Sequence, residues 1–161
     1  MNEMARQAVR LLAVLTTAAL LASCATHDLG TTRDFPDKVV QVSVQSGAIQ
    51  PISLVGVPAS QPGVIKWVFA SSSTGYIFPD SSASAPGIVF KIASAPPGCA
   101  ATPDPGTVFH NCGSKANGTR YQCNVKQGNA GSCFAYTVTV VPATGSSAPA
   151  VPSLDPWVRQ E

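Results

Sequence analysis

The stretch Phe134 to Val141 alternates strictly, with Phe134, Tyr136, Val138 and Val140 on one face and Ala135, Thr137 and Thr139 on the other. A period of two fits a strand with one buried face, because successive side chains of a pleated backbone point to opposite sides. Shorter pieces of the same pattern recur at Val39 to Val44, Ile52 to Val57, Val64 to Ala70, Tyr76 to Phe78, Ile88 to Ile92, Thr107 to Cys112 and Arg120 to Val125. Gln61-Pro62-Gly63, Ala85-Pro86-Gly87, Pro96-Pro97-Gly98 and Pro105-Gly106 punctuate the intervals with turn chemistry. No helical periodicity of useful length interrupts the set, so helix-borne parallel crossovers are not expected. The pattern predicts an all-β fold, an antiparallel β-sandwich of immunoglobulin-like size with about eight short strands, over residues 37–142.

Composition agrees with one such domain. The 161 residues are 45% hydrophobic and 11% charged, too apolar for a disordered chain, while 14 Pro and 13 Gly argue against long helices. A net charge of +2 gives no electrostatic footprint for nucleic acid. Beyond Val141 the run Ala143-Thr144-Gly145-Ser146-Ser147-Ala148-Pro149-Ala150 reads as linker, so residues 143–161 are expected to be a Pro/Ser/Ala-rich linker and C-terminal tail. Leu154-Asp155-Pro156-Trp157-Val158 is less bland, because an exposed Trp near a terminus is an aggregation liability. That segment is expected to dock back onto the sandwich, with Trp157 as a partner contact the alternative.

The N-terminus has a different logic. Arg6 and Arg10 precede the uncharged apolar run Leu11 to Ala22, the arrangement of a signal peptide and too short to span a bilayer comfortably. It closes on Leu21-Ala22-Ser23-Cys24, which resembles the lipobox of bacterial lipoproteins. The resemblance covers only this leader and its junction. It implies removal of residues 1–23, diacylglycerol on the Cys24 thiol, acylation of the new amine, and a lipidated tether over 24–36. Several acyl chains on one residue would hold a domain at a bilayer essentially permanently, since each buried methylene contributes about 0.8 kcal/mol. Ala25 stands where lipoproteins retained at the inner membrane often carry Asp, so in a Gram-negative cell the resemblance implies the outer membrane, facing the periplasm.

Setting Cys24 aside leaves Cys99, Cys112, Cys123 and Cys133, enough for two disulfides in an exported domain. Asn117-Gly118 is a hairpin-turn signal, and Cys112 and Cys123 lie equally far from it on either side, which would put them opposite each other. Cys112–Cys123 with Cys99–Cys133 is therefore the preferred pairing. A rival register around Gly128 would instead oppose Cys123 to Cys133 and leave Cys99–Cys112.

Candidate chemistry is sparse. His27 and His110 are the only histidines, and His110-Asn111-Cys112 lacks the second core His of a copper site, so no metal and no cofactor are expected. Serines are plentiful at Ser71-Ser72-Ser73 and Ser81-Ser82, yet His110 is the sole candidate base, with neither Gly-x-Ser-x-Gly nor a carboxylate pair. The reading is a non-catalytic binding or structural module, working through Tyr76 and the loops Ser71 to Tyr76 and Gln127 to Ser132 at one end, or through Trp157. Its expected partners are the membrane, through the lipid, and an envelope protein. Neither nucleic acid nor a small-molecule ligand is expected. The alternatives are a periplasmic hydrolase using His110, and an inhibitor or accessory subunit of another envelope enzyme.

Overall fold

A computed structural model describes residues 37–100, 102–128 and 130–161. The leader, Cys24, His27 and the tether 24–36 lie outside the described residues. In chain order the strands are β1 (Asp37–Val42), β2 (Val44–Gln45), β3 (Ala48–Ile49), β4 (Val55–Val57), β5 (Gly63–Phe69), β6 (Tyr76–Ile77), β7 (Ile88–Lys91), β8 (Phe109–Lys115), β9 (Arg120–Val125), β10 (Cys133–Val138), β11 (Val141–Pro142) and β12 (Trp157–Gln160). A 3-10 turn, Pro105–Thr107, precedes β8, entered through Asp104, whose carboxylate accepts from the Gly106 N–H at 2.9 Å.

Two four-stranded sheets, ordered β1-β5-β9-β8 and β4-β12-β10-β7, form the sandwich. Their inner faces follow from the alternation. Val40, Trp67 and Tyr121 share one register row of the first sheet, and Phe134, Val158 and Val55 one row of the second. Trp67 is fully buried between the layers and meets Tyr121, Phe90 and Tyr136 edge-on at centroid distances of 6.4, 6.2 and 5.5 Å. Phe90 stacks on Phe109 at 3.8 Å, and Phe109 meets Phe134 edge-on at 5.0 Å, so an aromatic seam ties the sheets together.

The all-β sandwich is as the sequence predicts, but four features differ. Each sheet is mixed: β1 runs parallel to β5, and β4 parallel to β12. No helix is needed, because the chain leaves β1, turns through the β2–β3 hairpin, enters the other sheet as β4 and only then returns as β5. Two expected strands are shortened or moved: Ile52 to Val57 contributes only β4, and the run expected from Thr107 begins as β8 at Phe109. The third difference is the small hairpin β2–β3, turning at Ser46-Gly47 with both φ angles positive (51° and 75°), the twist a tight hairpin requires. The last is the tail. Residues 143–161 are no free extension: the expected docking occurs, and it goes further, because Trp157–Gln160 inserts as β12 between β10 and β4. Val158 is wholly buried there and satisfies the same inward period as Phe134.

Both preferred disulfides are present. Cys112–Cys123 joins β8 to β9 with Cα atoms 4.1 Å apart, and Cys99–Cys133 fastens the β7–β8 connection onto the outward face of β10, at 5.8 Å. The β8–β9 register runs as the turn-centred pairing requires from Lys115↔Arg120 to Gly113↔Gln122, then shifts by one residue before His110↔Asn124. Asn111, at φ 51°, takes up the extra residue as a bulge. The turn itself is four residues long, 116–119, rather than the two of a minimal hairpin.

Candidate functional site

At the end of the sandwich where β5 stops and β9 begins, a cleft of about 550 Å³ opens between the loop after β5 and the β8–β9 turn. Its walls include Val68, Phe69, Ser71, Thr74, Tyr76, Thr119 and Arg120. The volume lies in the range of small-ligand clefts.

The loop that forms one wall is pinned at several points. Ser73 is buried, its Oγ accepts from the Val44 N–H at 2.8 Å, and its own N–H donates to the Ala70 carbonyl at 2.9 Å. That engagement makes Ser73 a structural residue. The Ala143 N–H donates to the Gly75 carbonyl at 2.8 Å, and Tyr76 pairs with Pro142 in the β6–β11 ribbon. Gly75 has φ 86°, and a Cβ on it would stand 2.6 Å from Ser146 Oγ, so the turn 143–146 is braced directly against the loop. The opposite wall is held by the Phe78 N–H donating to the Gly118 carbonyl at 2.8 Å.

Arg120 lies on the outward face of β9, in register with Val68 on one side and Lys115 on the other. Its Nε is shielded from solvent and has no hydrogen-bond partner among the described residues. Three acids are engaged elsewhere. Asp37 pairs with Lys66, and Asp155 accepts from Lys91 Nζ and Thr137 Oγ1, both at 2.8 Å, which holds its carboxyl below the usual carboxylate range. The Asp80 carboxyl is likewise lowered, chiefly by the Ser82 backbone N–H, with Lys115 a smaller contributor.

The other candidate residues are dispersed. Tyr76 lines the cleft; Trp157 does not, sitting half-buried on the outward face of β12 opposite Ala135. The loops Ser71 to Tyr76 and Gln127 to Ser132, expected at one end, sit at opposite ends, since one follows β5 beside Arg120 and the other follows the far end of β9. His110 is half-buried on β8 beside Asn124, and its Nδ1 makes no hydrogen bond among the described residues. The span of β9 from Asn124 to Arg120 puts roughly 13 Å between it and the Ser71–Ser73 turn. Among the described residues no three His, Cys, Asp or Glu side chains converge. Arg120 is the residue sequence reading missed: in the sequence it is one more polar position of an alternating strand, and only the cleft around it gives it distinction.

Compared with known proteins, the chain matches no protein-family model, no curated protein and no solved structure.

Proposed function

We propose that this chain is a lipid-anchored envelope protein whose β-sandwich is a non-catalytic binding or structural module, held at the membrane through Cys24 and recognising its partner at the cleft beside Tyr76. The observation that carries the binding half is the cleft itself: a concave surface whose walls are tied by hydrogen bonds from β2, from the residue after β11 and to the β8–β9 turn. Pinned loops on a rigid scaffold lose little conformational freedom on binding, which is how recognition surfaces gain affinity. Two disulfides suit an oxidising compartment, and the lipobox-like Leu21-Ala22-Ser23-Cys24 supports the anchor.

The rival hydrolase reading needs a nucleophile within hydrogen-bond reach of His110. The buried, backbone-bonded Ser73 and the separation of the Ser71–Ser73 turn from His110 weigh against it.

Intact-mass analysis of the protein extracted from its source cell tests the anchor. The expected species starts at Cys24 and carries acyl chains; an uncleaved leader or a naked thiol overturns it. A broad hydrolase panel on the wild type and on H110A tests the rest. Turnover that H110A abolishes would replace the binding module with an enzyme.

A further inference from the structure

We infer that the cleft between the β5–β6 loop and the β8–β9 turn binds an organic carboxylate, with Arg120 gripping the anion and the Tyr76 side bearing its apolar body. The inference deepens the binding-module reading and rests on it, adding a ligand class that the sequence does not announce.

Three observations meet here. First, among the described residues the cleft has a cation and no anion: Arg120 is the only charged residue of them that lines it. Second, that cation is not consumed by the fold. Arg120 forms no salt bridge among the described residues. With no carboxylate of the described residues against it, the guanidinium is available to an acceptor that a ligand brings, and a hydrogen bond to a charged group is stronger than one between neutral groups. Third, the remaining wall is mixed. Val68, Phe69 and Tyr76 offer apolar surface, while Ser71 and Thr74 place exposed hydroxyls at its margin.

A guanidinium presents its donors in a planar fork that matches the two oxygens of a carboxylate. The apolar wall gives a reason to prefer an organic acid over a bare inorganic anion, since inorganic phosphate has no body to place there. Such a group would come either from a free acid or from the C-terminus of a peptide, and the chemistry at Arg120 is the same for both.

Calorimetric titration of the full chain in mild detergent separates these cases. The probes are phenylacetate, its neutral isostere phenylacetamide, an N-acetylated tripeptide acid ending in Phe, and inorganic phosphate. Phenylacetate or the tripeptide acid should bind about tenfold or more tightly than phenylacetamide, the discrimination expected of hydrogen bonds to a charged group. R120Q should lose that preference, and R120K should keep only part of it because an ammonium lacks the fork. Tighter binding of the tripeptide acid than of phenylacetate assigns the source to a peptide terminus, and the reverse assigns it to a free acid. Equal binding of acid and amide by the wild type, or phosphate binding as tightly as the acids, overturns the inference even if the Arg120 variants do not fold. No detectable binding of either acid by the wild type also overturns it. A failure here is distinct from a failure of the anchor, which is read by mass at Cys24.

Discussion

Tyr136 sits in the middle of the core with its hydroxyl buried beside the Trp67 indole N–H, and neither has a hydrogen-bond partner among the described residues. Burial pushes the phenol up to about 12, and the neighbouring indole only partly offsets this. The charged form is the one disfavoured, so the unfolded chain ionises near pH 10 while the folded one stays neutral. The stabilisation is complete below pH 10 and is lost between about 10 and 12. A shift of that size corresponds to about 2–3 kcal/mol, an order-of-magnitude figure. Chemical denaturation at stepped pH should show stability falling across this window in the wild type and less steeply in Y136F. At neutral pH, Y136F should lie within about 1 kcal/mol of the wild type, in the stabilising direction, because it removes an orphaned hydroxyl without emptying the ring's space. A large loss in Y136F would mean that the hydroxyl has a partner.

The element that most changes how the molecule should be handled is β12. It lies between β4 and β10, and its N–H and carbonyl groups reach past the strand itself: Gln160 N–H donates to Ser132 O at 2.9 Å and Gly131 N–H to Gln160 O at 2.7 Å. The approach to it is fixed too, by reciprocal bonds between Leu154 and Val138 at 2.7 and 3.1 Å. Deleting residues 152–161 would therefore strip a sheet of an interior strand, leave two unpaired edges and expose Phe134, rather than trim a tail. The truncated chain should lose its cooperative thermal transition by circular dichroism and run as aggregate in gel filtration. A truncation with wild-type Tm would show that β12 is dispensable. A change in crosslinked partners on such a truncation would report unfolding, so partner mapping needs point changes at Trp157.

For the molecule as a whole, the two disulfides restrain different spans. Cys112–Cys123 has a sequence separation of 11 and Cys99–Cys133 one of 34. If each acts by restricting the unfolded chain, their contributions are roughly 3 and roughly 4 kcal/mol, in that order. The longer one also fastens the β7–β8 connection across the outward face of the second sheet, where Cys133 is buried. Urea unfolding of the two paired Cys→Ser variants should place C99S/C133S below C112S/C123S in midpoint. The opposite order would indicate that native packing around the shorter bridge, not loop closure, governs stability.

Much of the sandwich was legible in the sequence because its cause is local. Side-chain alternation is a property of neighbours two apart, which marked Val64 to Ala70 and Phe134 to Val141 as strands with a buried face. The turn between Cys112 and Cys123 made theirs the preferred pairing through register, with a turn around Gly128 as the rival that the structure excludes. Sheet order is different in kind. Whether Trp157-Val158 waits in solvent or fills the slot between β4 and β10 depends on the hydrophobic surface that two distant segments leave uncovered. Equally, Arg120 reads in sequence as one polar position among others. Its unpaired Nε and the cleft around it arise only when the β5–β6 loop, braced from residues 143–146, folds over the β8–β9 turn. Local periodicity determined the longer strands and the buried face of each, but neither β12 nor the β2–β3 hairpin. Long-range packing decided which strands are neighbours and where a cation is left without a partner, because those follow from surfaces that exist only once the chain has closed on itself.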